Sequence, residues 1–197
     1  SSLFITPYQN FPPAQNLDIF LGMIHSWIPT MSVTFPHIDI NIATQTLVLH
    51  QSPTQSHSYT ISTAKNGIGQ LENTGCTPLG KHIISEKFGD GCLINSVFVA
   101  RRFTGEIYSE HLAQQCPHRD WILTRILWLE GCEAGLNKGS NAHGVCDTKA
   151  RYIYIHGTPD SEPMGEPRSH GCIRMRNDDL ITLFDEVDCG TTVYINA

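Results

Sequence analysis

Between Arg168 and Asn177 the chain reads RSHGCIRMRN, which sets a thiol, an imidazole and guanidinium groups within ten residues. A thiol attacks a carbonyl carbon only as thiolate, and a free cysteine at pH 7 is mostly protonated, so a working nucleophile needs a base or cation beside it. His170 lies two residues before Cys172 and Arg174 two after, with Arg168 and Arg176 further out. Gly171 removes a side chain next to the thiol, so a substrate is expected to approach the backbone closely. Consecutive amides around Gly171 and Cys172 are candidate donors to an oxyanion. A lone cysteine in this setting reads as a buried, inert thiol; its company makes catalysis the better reading.

The second group is RYIYIHGTPD, where Tyr152, Ile153, Tyr154 and Ile155 form an expected strand that delivers His156 to a sheet edge, followed at once by a Gly-Thr-Pro turn. The intervening loop is long enough to fold back and bring His156 to Cys172. His156 is then the natural general base, with the carbonyl of Gly157 free to orient its ring. His170 either tunes the thiolate, binds substrate or braces the loop.

These residues need a frame. Residues 1–16, rich in Pro, Gln and Asn, read as an extended lead-in, and Leu17, Phe20, Leu21, Ile24 and Trp27 recur at helical spacing before Pro29. After Pro36 come short runs rich in β-branched and aromatic residues: TLVLH, SYTIST, KHII, SVFVARRF, WILTRILWL, RYIYIHG and TVYIN. Loops with Gly, Asn and Pro separate them, which argues for a mostly β (α+β) fold of sandwich or barrel type with a few short helices. In NDDLITLFDEV, Leu180, Leu183, Phe184 and Val187 line one helical face, and Asn177 is placed to cap it. The expected organisation is residues 1–40 as lead-in and amphipathic helix, then residues 41–197 as the catalytic domain.

Composition narrows the function. With 197 residues, 40% hydrophobic, the chain holds one principal core. A formal charge of −6 with scattered Lys and Arg argues against nucleic acid, and no apolar run is long enough for a membrane span. Seven cysteines without a CxxC pair fit a reducing compartment better than a disulfide framework, so a cytoplasmic location is expected, with the periplasm as the alternative if an export signal was removed. Cys116, His118, Cys132, His143 and Cys146 invite a metal reading, as does the set His156, His170 and Cys172, but only HGVC and CPH approach the tight pairing zinc prefers. No metal and no cofactor are expected.

The combination of IHGT with SHGCIRM closely resembles the signature of the YkuD-type L,D-transpeptidase family. TLVLH and SYTIST look like the family's opening strands, and TPLGKHII like its TPxGxF/I segment with His82 in the aromatic position. The resemblance spans roughly residues 44–196. It implies a mostly β fold, Cys172 as nucleophile, His156 as base and Gly157 as the orienting carbonyl. It also places Ser169, His170, Gly171 and Arg174 around the site; Arg174 replaces the Asn of some members. The implied substrate is a peptidoglycan stem tetrapeptide, cleaved between its third and fourth residues through a thioester. Arg174, Arg176 and Arg125 are candidates to hold its carboxylates. Water as acceptor gives an L,D-carboxypeptidase of murein recycling, the favoured expectation; an amine gives a 3-3 crosslink.

Overall fold

The computed structural model describes residues 34–197; the lead-in and the helix expected over Leu17–Trp27 lie outside them. Strand β1 (His37–Asn41) opens the sheet. Its HIDIN sequence alternates, so Ile38 and Ile40 point into the core while His37, Asp39 and Asn41 take the other face. Strand β2 (Thr46–Ser52) runs back antiparallel and buries Leu47 and Leu49 against them, and β3 (Gln55–Thr60) follows as the next hairpin strand.

The remaining elements are β4 (Gly80–Phe88), β5 (Ser96–Val99), β6 (Arg102–Ile107), α1 (Glu110–Gln115), β7 (Ile122–Gly131), β8 (Ser140–Asn141), β9 (Gly144–Val145), β10 (Tyr154–Gly157), β11 (Ile173–Met175), α2 (Asn177–Glu186) and β12 (Thr192–Asn196). The sheet order is β11-β10-β7-β4-β12-β1-β2-β3, with the β5–β6 hairpin joined to β7. Beyond β3 the chain bends round to reach β11: Ser62 N–H donates to Arg174 O at 3.0 Å and Arg174 N–H donates to Ser62 O at 2.9 Å. The sheet is thus curled until its two ends meet.

The expected SVFVARRF strand is two strands. Ala100 and Arg101 take left-handed backbone (φ 48° and 66°), the two-residue turn that matches the twist of a hairpin. The helix expected from NDDLITLFDEV is α2, and Leu180, Leu183, Phe184 and Val187 join Ile155, Ile173, Leu127 and Leu129 in the main core. Asn177 does not cap it. Arg176 occupies the cap position, and the Asn177 amide is buried, accepting from Thr124 Oγ1 at 2.6 Å and donating to Thr158 O at 3.0 Å. The C-terminal carbonyls of α2 are instead satisfied by β4: Lys87 Nζ donates to Phe184 O at 2.7 Å and Val187 O at 2.5 Å. No described helix is long and apolar enough to cross a membrane.

Candidate active site

Strands β10 and β11 pair in parallel, with Ile155 opposite Ile173 and His156 opposite Arg174. Because side chains alternate, Ile153, Ile155, Ile173 and Met175 enter the main core. Tyr154, His156, Cys172 and Arg174 must then share the opposite face, with His156 diagonal to Cys172. All four line one cavity of about 230 Å³, together with Asp120, Ile122, Arg151, Tyr152, Ile153, Ser169 and His170. The loop between the two motifs brings them together as its length allows.

His156 is buried, and its Nδ1 lies 2.8 Å from the Gly157 carbonyl. That contact fixes the tautomer with Nδ1–H donating, which leaves the Nε2 lone pair unbonded among the described residues. Gly157 fills the orienting position expected of it, and a side chain there would collide with Asn177 and the Leu123 carbonyl. Burial lowers the His156 pKa to about 4, against the Gly157 contact and Asp120, which raise it, while Arg174 lowers it further. The ring rests neutral.

Cys172 sits on the cavity wall, half-buried. Burial pushes its thiol up to about 12, opposed by the Tyr154 N–H, which donates to Sγ at 3.4 Å. The thiol hydrogen is directed at Tyr152 O, 3.4 Å away, rather than at His156. Thiol and imidazole therefore share a cavity and a sheet face in their neutral forms, without a hydrogen bond between them.

The other expected site residues divide. Ser169 is buried and consumed by the loop: its hydroxyl donates to Cys172 O at 2.5 Å and accepts from Gly171 N–H at 3.2 Å. The Gly171 amide is thereby turned away from an oxyanion role. Gly171 is needed for its φ of 134° and because a Cβ would crowd Ile153 and the Cys76 carbonyl, so its missing side chain serves packing rather than substrate access. His170 stands exposed on the rim, Nδ1 3.8 Å from Asp120 Oδ2.

Arg174 is buried beside His156, but both its terminal nitrogens are engaged: Nη2 donates to Asp120 Oδ1 at 2.8 Å and Nη1 to Glu162 Oε2 at 3.3 Å. Arg176 and Arg125 do not line the cavity. Arg176 Nη1 donates to Asp160 O at 2.8 Å, because the chain has already left β11 for the start of α2. Arg125 lies in an irregularity of β7, where the pairing with β10 jumps from Ile126 to Leu123. Its guanidinium donates to the Cys92 and Thr124 carbonyls and faces the Phe184 ring. Of the three arginines expected to hold a substrate carboxylate, Arg174 is the one that lines the Cys172 cavity.

Three contributors were missed in the sequence. Asp120 bridges Arg174 and His170 from a lone position before β7, and its only signal was a charge directly ahead of an apolar run. Arg151 Nη2 donates to Cys76 O at 2.6 Å and ties the loop before β4 to the cavity wall. Tyr154 accepts from Arg101 Nη1 at 2.9 Å, and that guanidinium stacks over Trp128, 4.1 Å from the ring centroid.

The comparisons with known proteins agree in direction. The family model described as L,D-transpeptidase catalytic domain, YkuD, matches residues 36–195. The probable L,D-transpeptidase YcfS of Escherichia coli is 30% identical over 159 residues, covering 80% of this chain and 43% of that protein. The putative L,D-transpeptidase YqjB of Bacillus subtilis is 46% identical over 48 residues, 24% of this chain and 27% of that protein. The chain thus spans less than half the length of the curated relatives it matches. Among solved structures, an L,D-transpeptidase from Mycobacterium smegmatis aligns with a TM-score of 0.47 at 16% identity, covering 82% of this chain and 58% of that one. One from Enterococcus faecium aligns at 0.48 and 15%, covering 83% and 50%. On the match to residues 36–195, the chain belongs to the YkuD family of L,D-transpeptidase catalytic domains.

Proposed function

We propose that this chain is a cysteine acyltransferase acting on peptidoglycan stem tetrapeptides, with Cys172 as nucleophile and His156 as base. The observation that carries the reading is the shared cavity, in which a buried neutral imidazole with a free Nε2 faces the same space as a thiol on the adjacent strand. Substrate binding first draws the thiol away from Tyr152 O. Nε2 then takes its proton as Sγ attacks the carbonyl of the third stem residue. D-alanine leaves with that proton and a thioester remains. With the Gly171 amide bound to Ser169, the candidate oxyanion donor left on the loop is the Cys172 amide.

The cavity supports transfer to an amine. Two clefts meet at His170, one lined by Lys65, His118, Arg119, Asp120, Glu162, Arg168 and Arg174, the other by Glu72, Asn73, Arg151, Tyr152 and Ile153. Each cleft shares wall residues with the Cys172 cavity, Asp120 and Arg174 in the first and Arg151 and Tyr152 in the second, an arrangement that suits a donor stem and an acceptor stem, and an amine attacking the thioester forms the 3-3 crosslink. In the first cleft Arg119, Arg168 and Arg174 are paired with carboxylates, while Lys65 has no ion pair among the described residues and is placed to meet a carboxylate of a stem peptide.

Hydrolysis by water, giving an L,D-carboxypeptidase of murein recycling, is the second reading. It is favoured by the seven free thiols, which suit a reducing, cytoplasmic setting. Incubation with a disaccharide-tetrapeptide, with and without an acceptor stem, followed by mass spectrometry, separates the two. A crosslinked dimer supports transfer and tripeptide alone supports hydrolysis. Unchanged substrate with folded protein defeats both.

A further inference from the structure

We propose a divalent-metal site on the outer face of β1 and β2, built from His37, Asp39 and His50. The antiparallel register sets His37 opposite His50, and alternation along β1 brings Asp39 to the same face. His50 Nε2 lies 3.1 Å and His37 Nε2 3.7 Å from the same Asp39 oxygen, Oδ2, and the three ligand atoms lie within 4.8 Å of one another. Zinc bonds of about 2.0–2.1 Å to nitrogen and oxygen in a tetrahedron place neighbouring ligand atoms roughly 3.3 Å apart. The two nitrogen-to-oxygen distances, 3.1 and 3.7 Å, are already near that spacing, and all three ligand atoms lie within 4.8 Å.

The surroundings orient it. His37 Nδ1 lies 3.1 Å from Thr34 O, the outer contact by which a metal-binding histidine fixes its tautomer and frees Nε2 for the ion. The His37 and His50 rings stack with centroids 4.7 Å apart and planes 13° from parallel, so the more open His50 ring must tilt for the two Nε2 lone pairs to converge on one ion, while Tyr194 packs edge-on against His37 and holds that ring. His37 is buried, whereas Asp39 and His50 are partly open, so an ion has an entry path. Two imidazoles and one carboxylate suit zinc, cobalt or nickel better than calcium or magnesium. Three protein ligands leave a position for water or for a donor from another molecule.

His37, Asp39 and His50 carry no tight ligand pair in the sequence, so no metal was expected from them. A spacing of two residues within β1 and a partner on β2 becomes a ligand set only through strand register. None of the three residues lines the Cys172 cavity, so the site stands apart from the proposed acyl transfer.

Metal-stripped protein titrated with zinc by calorimetry, and with cobalt(II) followed by its visible absorption, tests the inference. One equivalent is expected to bind with a tetrahedral or five-coordinate cobalt spectrum. Affinity should fall at least tenfold in Asp39→Asn and in His50→Ala, whose partly exposed positions leave the fold intact by circular dichroism. The Cys172→Ala variant should keep the site, which separates it from binding at the thiol. Absence of zinc and cobalt binding in the wild type, or binding that neither Asp39→Asn nor His50→Ala weakens, overturns it.

Discussion

Of the buried histidines among the described residues, His82 and His156 are the two that burial lowers to a pKa of about 4. His82, on β4, has both ring nitrogens occupied: Nδ1 lies 3.0 Å from Gly80 O and Nε2 3.0 Å from Thr148 Oγ1. His156, on β10, has only Nδ1 occupied, by Gly157 O, and turns Nε2 to a cavity. Desolvation alone therefore does not mark a base. What separates a structural imidazole from a chemical one is the unfilled valence and the space in front of it.

The largest expected effect breaks the pair apart. His156→Gln should cost at least about 10²-fold in kcat/KM on a disaccharide-tetrapeptide, the usual scale of general-base catalysis. His82→Phe should leave kcat/KM of the folded fraction within about threefold. Equal losses in the two variants would erase the distinction.

Next in size is acid stability, where the two histidines should act alike. A histidine with a depressed folded pKa binds its proton in the unfolded chain first. Its stabilising contribution is present above pH 6.5 and is lost as pH falls from about 6.5 toward 4. The loss is on the order of 3 kcal/mol for each ring at the acid end. Urea unfolding across that range should show the decline, and His82→Phe should remove about half of it.

The thiol gives a smaller contrast. With its pKa pushed up by burial, Cys172 should react with iodoacetamide at pH 8 at least tenfold more slowly than exposed Cys189. Peptide mapping reads this directly; a fast Cys172 would mean the thiolate is already formed.

The smallest effect sharpens the assignment of the base. A histidine of ordinary pKa loses about three quarters of its neutral form at pH 6. With His156 depressed, kcat/KM at pH 6 should remain close to its value at pH 7.5. A midpoint near pH 6.5 would place the controlling proton on another group.

Much of this was legible in the chain. TLVLH, WILTRILWL and TVYIN became β2, β7 and β12, because alternating or continuous apolar residues leave few other solutions. Cys172, His156 and Gly157 met as expected because parallel pairing of two short strands follows from the motif order. Strand β1 was overlooked, since His, Asp and Asn are weak strand formers, although HIDIN alternates. Arg125, Arg174 and Arg176 look alike as letters. Their separate destinations depend on a break in strand pairing, a pair of distant carboxylates and the end of a strand. Local sequence encodes none of these.

The bridge between Ser62 and Arg174 has an outcome for recognition. Strand β11 is flanked by β10 on one side and by the segment after β3 on the other, so the strand adjoining the thiol offers no free ladder of amides and carbonyls. A peptide cannot dock there by adding a strand, the mode that reads main chain and tolerates many sequences. Whatever binds must lie across the face and be chosen by its charged and polar groups, which makes selectivity a property of side chains such as Asp120 and His170 rather than of the backbone.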